Sequence, residues 1–485
     1  MPVKHVRIGL AALVTVAAAA GACATVWLAV NAIAGPAAAT QPAVLATVVA
    51  LSLARRDLAG RREFVRSAAA LPLVGMAAAG VGRLLVDVPP LGAVLFIAGM
   101  SVPIWLRRFG PLGARVGALI ALPLTAMLVV PAAPEAPGTP WWPAALLAAG
   151  AGAVATLWVT AARELLMRPW LGHSQHGTAH PPRATRPASR PSEARSGSPS
   201  RRLPASTRMA VQMATALAAA FVTGWLLFPS HAMWIVLTAY IVNAGNRGRG
   251  DVLHKSGLRV TGAVGGTVIA LLLLSLPTLD VRTTTLLVFV TLFAGTWLRA
   301  YSYAYWALAV TIVLTLLQHV AGTGPAAGEA GLLAERVAAI VVGALLGIGA
   351  AWFVLPVRSS DVLRRRLSDL LAALAALAGA DRSAHDAEED EAAFRWALRR
   401  VEELAPAHRA RRRLGAKGIQ PIDCVEAACG LGPAVAEWVE ETDDDKRVDL
   451  AIRRARASLR PPFDPDEVHR RLVGLAAALR GGTVA

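Results

Sequence analysis

The sequence predicts an all-α integral membrane protein of about 12 transmembrane helices, laid out as two parallel six-helix repeats and followed by a C-terminal cytoplasmic helical domain. Three observations carry that expectation. Of the 485 residues, 55% are hydrophobic and the mean hydropathy is +0.50, well above a soluble globular chain. Local signatures recur: Leu45-Ala-Thr47, an arginine-rich loop and Arg66 return as Leu237-Thr238-Ala, a basic loop and Arg259, and Trp105-Leu106-Arg107 returns as Trp297-Leu298-Arg299. The offsets, 191, 193 and 192 residues, are nearly constant, as a duplicated multi-span unit requires. Finally, from about residue 357 the apolar runs give way to charged sequence with helical spacing.

About 20 apolar residues cross the hydrocarbon core as a helix, because every backbone amide must be satisfied internally there. Twelve runs qualify: 6–33, 36–54, 67–87, 90–106, 112–132 and 141–162, then 208–229, 231–245, 258–279, 283–298, 303–320 and 332–356. The first repeat thus occupies 1–162 and the second 208–356. Residues 1–34 resemble a signal peptide with Lys4 and Arg7 as its basic start, but the apolar run is too long and its counterpart at 208–229 is internal.

Charge orients the bundle. Loops on one side carry Lys4, Arg7, Arg55, Arg56, Arg61, Arg62, Arg66, Arg107, Arg108 and Arg115, and in the second half Arg247, Arg249, Lys255, Arg259, Arg299 and Arg358. The other side offers only Arg83, Arg282 and Arg336, beside Asp87, Glu135, Asp280 and Glu329. Basic residues stay inside during insertion, so both termini are expected in the cytoplasm of a multi-pass plasma (inner) membrane protein. The net charge of +17 is explained by this loop bias and by anionic lipid headgroups; no nucleic-acid-binding module accompanies it.

Residues 163–207 are rich in Arg, Pro, Ser and His and read as a disordered basic cytoplasmic linker. Its His173, His176 and His180 spacing suits a transition metal only in a folded frame, and none is expected here. Residues 357–485 read as a cytoplasmic helical domain, opening with Arg364-Arg-Arg-Leu367-Ser-Asp-Leu370-Leu371. Asp443-Asp-Asp445 lacks the Gly turn and ligand spacing of a calcium loop. Cys424 and Cys429, with Cys23 the chain's three cysteines, provide neither a zinc quartet nor a disulfide framework. No metal, no cofactor and no catalytic residue is expected.

The segment His231-Ala-Met-Trp234-Ile-Val-Leu237-Thr238-Ala-Tyr240-Ile-Val-Asn243, then Arg247-Gly248 and Arg259-Val-Thr-Gly262-Ala-Val-Gly265-Gly266-Thr267, resembles the fusaric acid resistance (FUSC) family, and more narrowly the membrane domain shared with bacterial aromatic acid exporters. The likeness covers about 208–330. The first half departs from it at Val44, where Trp234 has its counterpart, and at Leu71-Pro72, where the glycine step weakens. The resemblance implies export of aromatic or other organic carboxylates across the inner membrane; a more distant likeness is to plant anion-conducting malate transporters.

The substrate-pathway candidates are Trp234, Thr238, Asn243, Arg259, Trp297, Arg299 and His319. Arg259 can pair bidentately with a carboxylate, against a plainer role in topology. Trp297, with Tyr301, Tyr303, Tyr305 and Trp306, suits either interfacial anchoring or stacking on an aromatic acid. Gly262, Gly265 and Gly266 allow close helix packing or line a pathway. No Asp or Glu stands mid-span, so a proton relay would need His, water or the substrate. The expected partners are an organic anion and the lipid bilayer, with a homo-oligomer possible. An anion channel and a non-transporting scaffold with a partner-binding tail are the alternatives; enzymatic chemistry is not expected, since no Walker motif or membrane-face acidic motif is present.

Overall fold

The computed structural model describes residues 2–54, 75–110, 113, 117, 120, 124, 142–164, 203–276, 280–320, 330–379, 384–412, 418–441 and 446–481. The Arg55–Arg66 loop, nearly all of the expected 112–132 span, the histidine run, the Asp443 run and almost the whole 163–207 linker lie outside them. The regular elements among the described residues are all helical. In chain order they are α1 (Pro2–Ala34), α2 (Pro36–Ala54), α3 (75–87), α4 (Pro89–Leu106), α5 (Trp142–Ala162), α6 (Ala205–Leu227), α7 (Ala232–Asn243), α8 (Arg249–Leu274), α9 (Val281–Leu298), α10 (Tyr303–Val320) and α11 (Ala330–Phe353). Then follow α12 (Ser359–Leu377), α13 (Ala384–Glu402), α14 (Ala405–Arg412), α15 (Pro421–Cys429), α16 (Leu431–Glu441), α17 (Lys446–Ser458) and α18 (Pro465–Leu479). Short 3-10 turns sit at Arg107–Phe109 and Pro229–His231.

The chain is an all-α membrane protein. Among the described residues seven helices are long and apolar enough to cross a bilayer, and α2, α7 and α10 are shorter apolar helices. At most 44% of any such span is buried within the protein. The outer faces, with Leu28, Leu226, Leu272 and Leu286 more than half exposed, therefore need an apolar solvent. One expected span is shortened. The 231–245 run yields only the 12-residue α7, about 18 Å at 1.5 Å per residue, because Ala244 turns extended and Gly245 takes φ +61°. Gly248, at φ +114°, then allows α8 to start at Arg249 rather than at 258. Asp251 supports that start by accepting the Arg247 N–H at 3.0 Å.

The chain divides into two compact units, Met1–Gly172 with Leu203–Asn246 and Lys255–Pro356, and His173–Arg202 with Arg247–His254 and Val357–Ala485. The first unit holds two apolar clusters. In one, α1, α2 and α5 pack together and are completed by Val288 and Leu292 of α9 and Ile312, Val313 and Leu316 of α10. In the other, α6, α7 and α11 pack together and are completed by Ala78 of α3, Phe96 and Met100 of α4, and Leu124. Each trio is closed by helices from the other half of the sequence. Gly343 and Gly347 seat α11 on α7: a Cβ at Gly343 would meet the Ile235 carbonyl at 2.5 Å, and one at Gly347 would meet Asn243 Nδ2 at 2.8 Å. The far end of α11 is finished by α6, whose Gln212 Nε2 donates to the Val354 and Leu355 carbonyls at 2.9 and 3.1 Å, while Arg208 Nε donates to Leu355 at 3.1 Å.

The second unit is water-type in pattern. Leu363, Leu367, Leu370, Leu371, Leu374 and Leu377 form one buried stripe on α12 and join Phe394, Val401, Val425, Ile452, Leu472 and Leu475 in its core. Helix starts are capped: Gln420 and Asp423 form a reciprocal capping box at α15, and Asp464 accepts from the Asp466 N–H at α18. Cys424 is buried in that core, its thiol pushed up to about 12 by burial; Cys429 is half-buried. Residues 247–254 belong to this unit. Arg247 pairs with Glu403 at 2.9 Å, and Arg366 pairs with the same carboxylate at 3.2 Å. Ser359 Oγ accepts the Gly250 N–H at 3.2 Å, and a side chain at Gly248 would strike that hydroxyl at 2.8 Å.

Two outcomes follow from this packing. Gly343→Ala is expected to cost about 1–3 kcal/mol through overpacking against a backbone carbonyl, whereas Gly349→Ala, which faces open space, should be nearly neutral; thermal unfolding in detergent compares them. The second concerns His408, buried at 7% exposure. Burial and then Arg411 hold its pKa below the usual histidine value, against an opposing pull from Asp251. The folded state therefore favours the neutral ring. This contribution is fully present above the unfolded value of about 6.5 and fades as pH falls through it, because the unfolded chain then binds the extra proton. Unfolding of the second unit should shift to lower temperature between about pH 7.5 and 5.5, and His408→Leu should flatten that slope.

Candidate functional site

Helix α10 is the platform of the site. Its Thr311 and Thr315 hydroxyls are buried and donate back to the Ala307 and Thr311 carbonyls at 2.9 Å each. Against it lies α8, drawn in by missing side chains: a Cβ at Gly262 would meet the Ala304 carbonyl at 2.5 Å, and one at Gly266 the Leu308 carbonyl at 2.6 Å. Gly265, between them, would meet only the Leu308 methyl at 3.4 Å. Arg259 stands one turn before Gly262 on the same α8 stripe. The glycines that bring the backbones together therefore also press Arg259 into the bundle.

Arg259 is 1% exposed. Its Nη1 donates to the Ala307 carbonyl at 3.4 Å, a long bond, while Nε and Nη2 are buried without any hydrogen-bond partner. Nε–H and the adjacent Nη2–H form one edge of the guanidinium, the fork that fits the two oxygens of a carboxylate. The Tyr303 phenol lies within electrostatic range of both Arg259 and Arg299. Arg299 itself is exposed, its guanidinium 5.9 Å from the Trp306 ring centroid. Thr238 is completely buried with an unpartnered Oγ1, and Asn243 donates to the Ala239 carbonyl at 3.0 Å while its Oδ1 has no partner.

Thr238 and Asn243 lie on the α7–α11 seam, against Gly343 and Gly347. Trp297 is 37% exposed, its indole against Gly9 of α1 and its centroid 5.9 Å from Phe293. Tyr301 stacks on His5 with centroids 5.7 Å apart and is hydrogen-bonded to it. These aromatics tie the α9–α10 connection to α1. His319 is exposed on α10.

A second buried cation was not among the sequence candidates. Arg336 of α11 is 2% exposed; its charge had read as a boundary residue because it stands near the start of the span. Its guanidinium lies 4.3 Å above the Trp234 ring centroid, Nη1 donates to Thr315 Oγ1, and Nη2 donates to Gln318 Oε1. Nε has no partner. The legible signal was Gly343-x-x-x-Gly347, which continues the Arg336 stripe seven and eleven residues on. Glu335, next in sequence, is directed to His231 Nδ1 at 3.4 Å.

Among the described residues neither Arg259 nor Arg336 forms a salt bridge. A charge buried without a counter-ion costs several kcal/mol. Among the described residues no cluster of three His, Cys, Asp or Glu could hold a metal ion.

Residues 215–350 match the family described as fusaric acid resistance protein-like. That stretch includes α7, α8 and α10 entire, both buried arginines and all seven pathway candidates. No curated protein matches the chain.

Arg259→Met tests whether the arginine is kept for its charge. Replacing a buried, unpaired guanidinium with an apolar side chain of similar length is expected to leave thermal stability unchanged or to raise it. Stabilisation by added benzoate, present in the natural protein through ligand linkage, should disappear. A sharp fall in the melting temperature would instead make Arg259 a structural residue.

Proposed function

We propose that this chain, a member of the fusaric acid resistance protein-like family through residues 215–350, is an inner-membrane secondary transporter that exports aromatic or other organic carboxylates. The observation that carries this reading is the free Nε–Nη2 edge of a fully buried Arg259. A carboxylate docking there forms two parallel charge-assisted hydrogen bonds and neutralises a cation that the bundle leaves unmatched. Nη1 stays on the Ala307 carbonyl, so the fork is held in place before the anion arrives, which lowers the ordering cost of binding. Apolar α8, α9 and α10 surroundings then favour an organic acid over a small hydrated ion.

The recurring signatures and the reciprocal closing of the two helix trios support a duplicated bundle of two parallel repeats, with about 12 spans in all. In such bundles the halves rock against each other around a site between helices. The loop charges support cytoplasmic termini and an inward-facing basic end that concentrates anions near Arg259. With no carboxylate in mid-span among the described residues, the energy source is the membrane potential or an exchanged anion rather than a buried acidic relay.

Flux of labelled benzoate into inside-out vesicles tests the proposal. The natural chain should accumulate benzoate in response to an imposed potential. Arg259→Gln should raise the half-saturating concentration about tenfold or more, the loss of a charge-assisted pair, and Arg259→Lys should not restore it, because an ammonium lacks the fork. Equilibration that ignores every gradient would replace the transporter with an anion channel, and flux unchanged in Arg259→Gln would remove Arg259 from the pathway.

A further inference from the structure

Helix α10 is contacted by a buried arginine near each end, Arg259 of α8 and Arg336 of α11. The Arg259 contact is at Ala307, and the Arg336 contacts are at Thr315 and Gln318. Ala307 and Thr315 are eight residues apart, about 12 Å along the helix axis. Between them Thr311 and Thr315 turn their hydroxyl hydrogens back onto the helix, so the intervening face offers no comparable charge.

The two guanidiniums are compensated differently. Arg259 has two unpartnered donors on one edge. Arg336 has one, at Nε, and its charge is partly met by the Trp234 π-face and by two neutral oxygens. None of those partners carries a negative charge, and Glu335, next in sequence, is more than half exposed, 3.4 Å from His231 Nδ1. An arginine serving only to join α10 to α11 would be expected to face a carboxylate at this depth; this one faces an aromatic ring and leaves a donor bare.

We propose that Arg336, Trp234, Thr315 and Gln318 form a second, weaker anion station, through which an organic carboxylate passes after leaving Arg259. This rests on the carboxylate-transport reading. A single free donor holds a carboxylate less firmly than a fork, and a pathway needs a site weak enough to be left. The Trp234 ring lowers the affinity of the station further by sharing the cation, so the order of strengths runs from Arg259 to Arg336.

The test measures benzoate flux, and its inhibition by unlabelled benzoate from either face, in vesicles of both orientations carrying the full chain. Arg336→Gln is expected to lower maximal flux at least about tenfold. Half-saturation on the Arg259 face should stay within about twofold, while inhibition from the opposite face weakens about tenfold. Arg259→Gln should show the reverse pattern. Wild-type flux and inhibition in Arg336→Gln overturn the second station, as does an equal loss of affinity at both faces, which means one shared site. Trp234→Phe keeps Arg336 and is read if Arg336→Gln does not fold. The smaller π-face compensates the cation less, so opposite-face inhibition should tighten about two- to threefold, and no change overturns the proposal. Absence of benzoate flux in the natural chain overturns the transport reading along with this one; normal flux with an indifferent Arg336 overturns this one alone.

Discussion

Close backbone approach between α8 and α10 is the contact on which the candidate site depends. Helices in an apolar medium gain little from burying leucine, because lipid solvates it as well as protein does. What holds them is van der Waals contact at short range, and that requires surfaces without side chains. Gly262 and Gly266 provide one on α8, and Gly343 and Gly347 provide another on α11 against α7. Each stripe carries an arginine at its end. The small residues set the spacing, and the spacing decides that the arginines are enclosed rather than left at an interface where their long stems could reach water.

Enclosure with no counter-ion among the described residues makes the two arginines costly. Carbonyl, hydroxyl and amide oxygens approach them, yet these are dipoles and leave the net charge in place. Under the proposed carboxylate transport, a visiting anion would supply the missing negative charge. In that proposal the binding energy comes largely from relief of the unmatched charge, so carboxylate affinity and the cost of the buried arginines share one origin.

Much of this was legible in the sequence. Apolar run length anticipated α1 to α11, and the glycine pattern after Arg259 pointed to the α8 face. The α7 boundary was not legible, because hydropathy continues through Ala244 while the backbone is redirected by Gly245 and Gly248. Arg247 read as one more loop charge, although Glu403, 156 residues later, takes it up through an ion pair that no local pattern could announce. Arg336 was hidden by counting. A cation near a span's end looks like an anchor until a three-dimensional neighbour, here Trp234, shows which way it points. The surroundings of Trp297, which lies against α1, and the exposure of His319 depend on how helices pack and were not legible either.

At the offset of about 192 residues, the two halves agree in packing and differ in chemistry. Ala151 and Ala155, both buried, stand where Gly343 and Gly347 do, and Thr47 is buried as Thr238 is. By contrast Pro42 stands 192 residues before Trp234, and Ala144 192 residues before Arg336. Small residues at these positions let each trio of helices pack closely. The aromatic ring and the arginine belong to one half alone. A pathway placed symmetrically between identical halves would present paired cations, whose mutual repulsion in a low-dielectric interior is costly. With Ala144 standing 192 residues before Arg336, that pairing does not arise at Arg336.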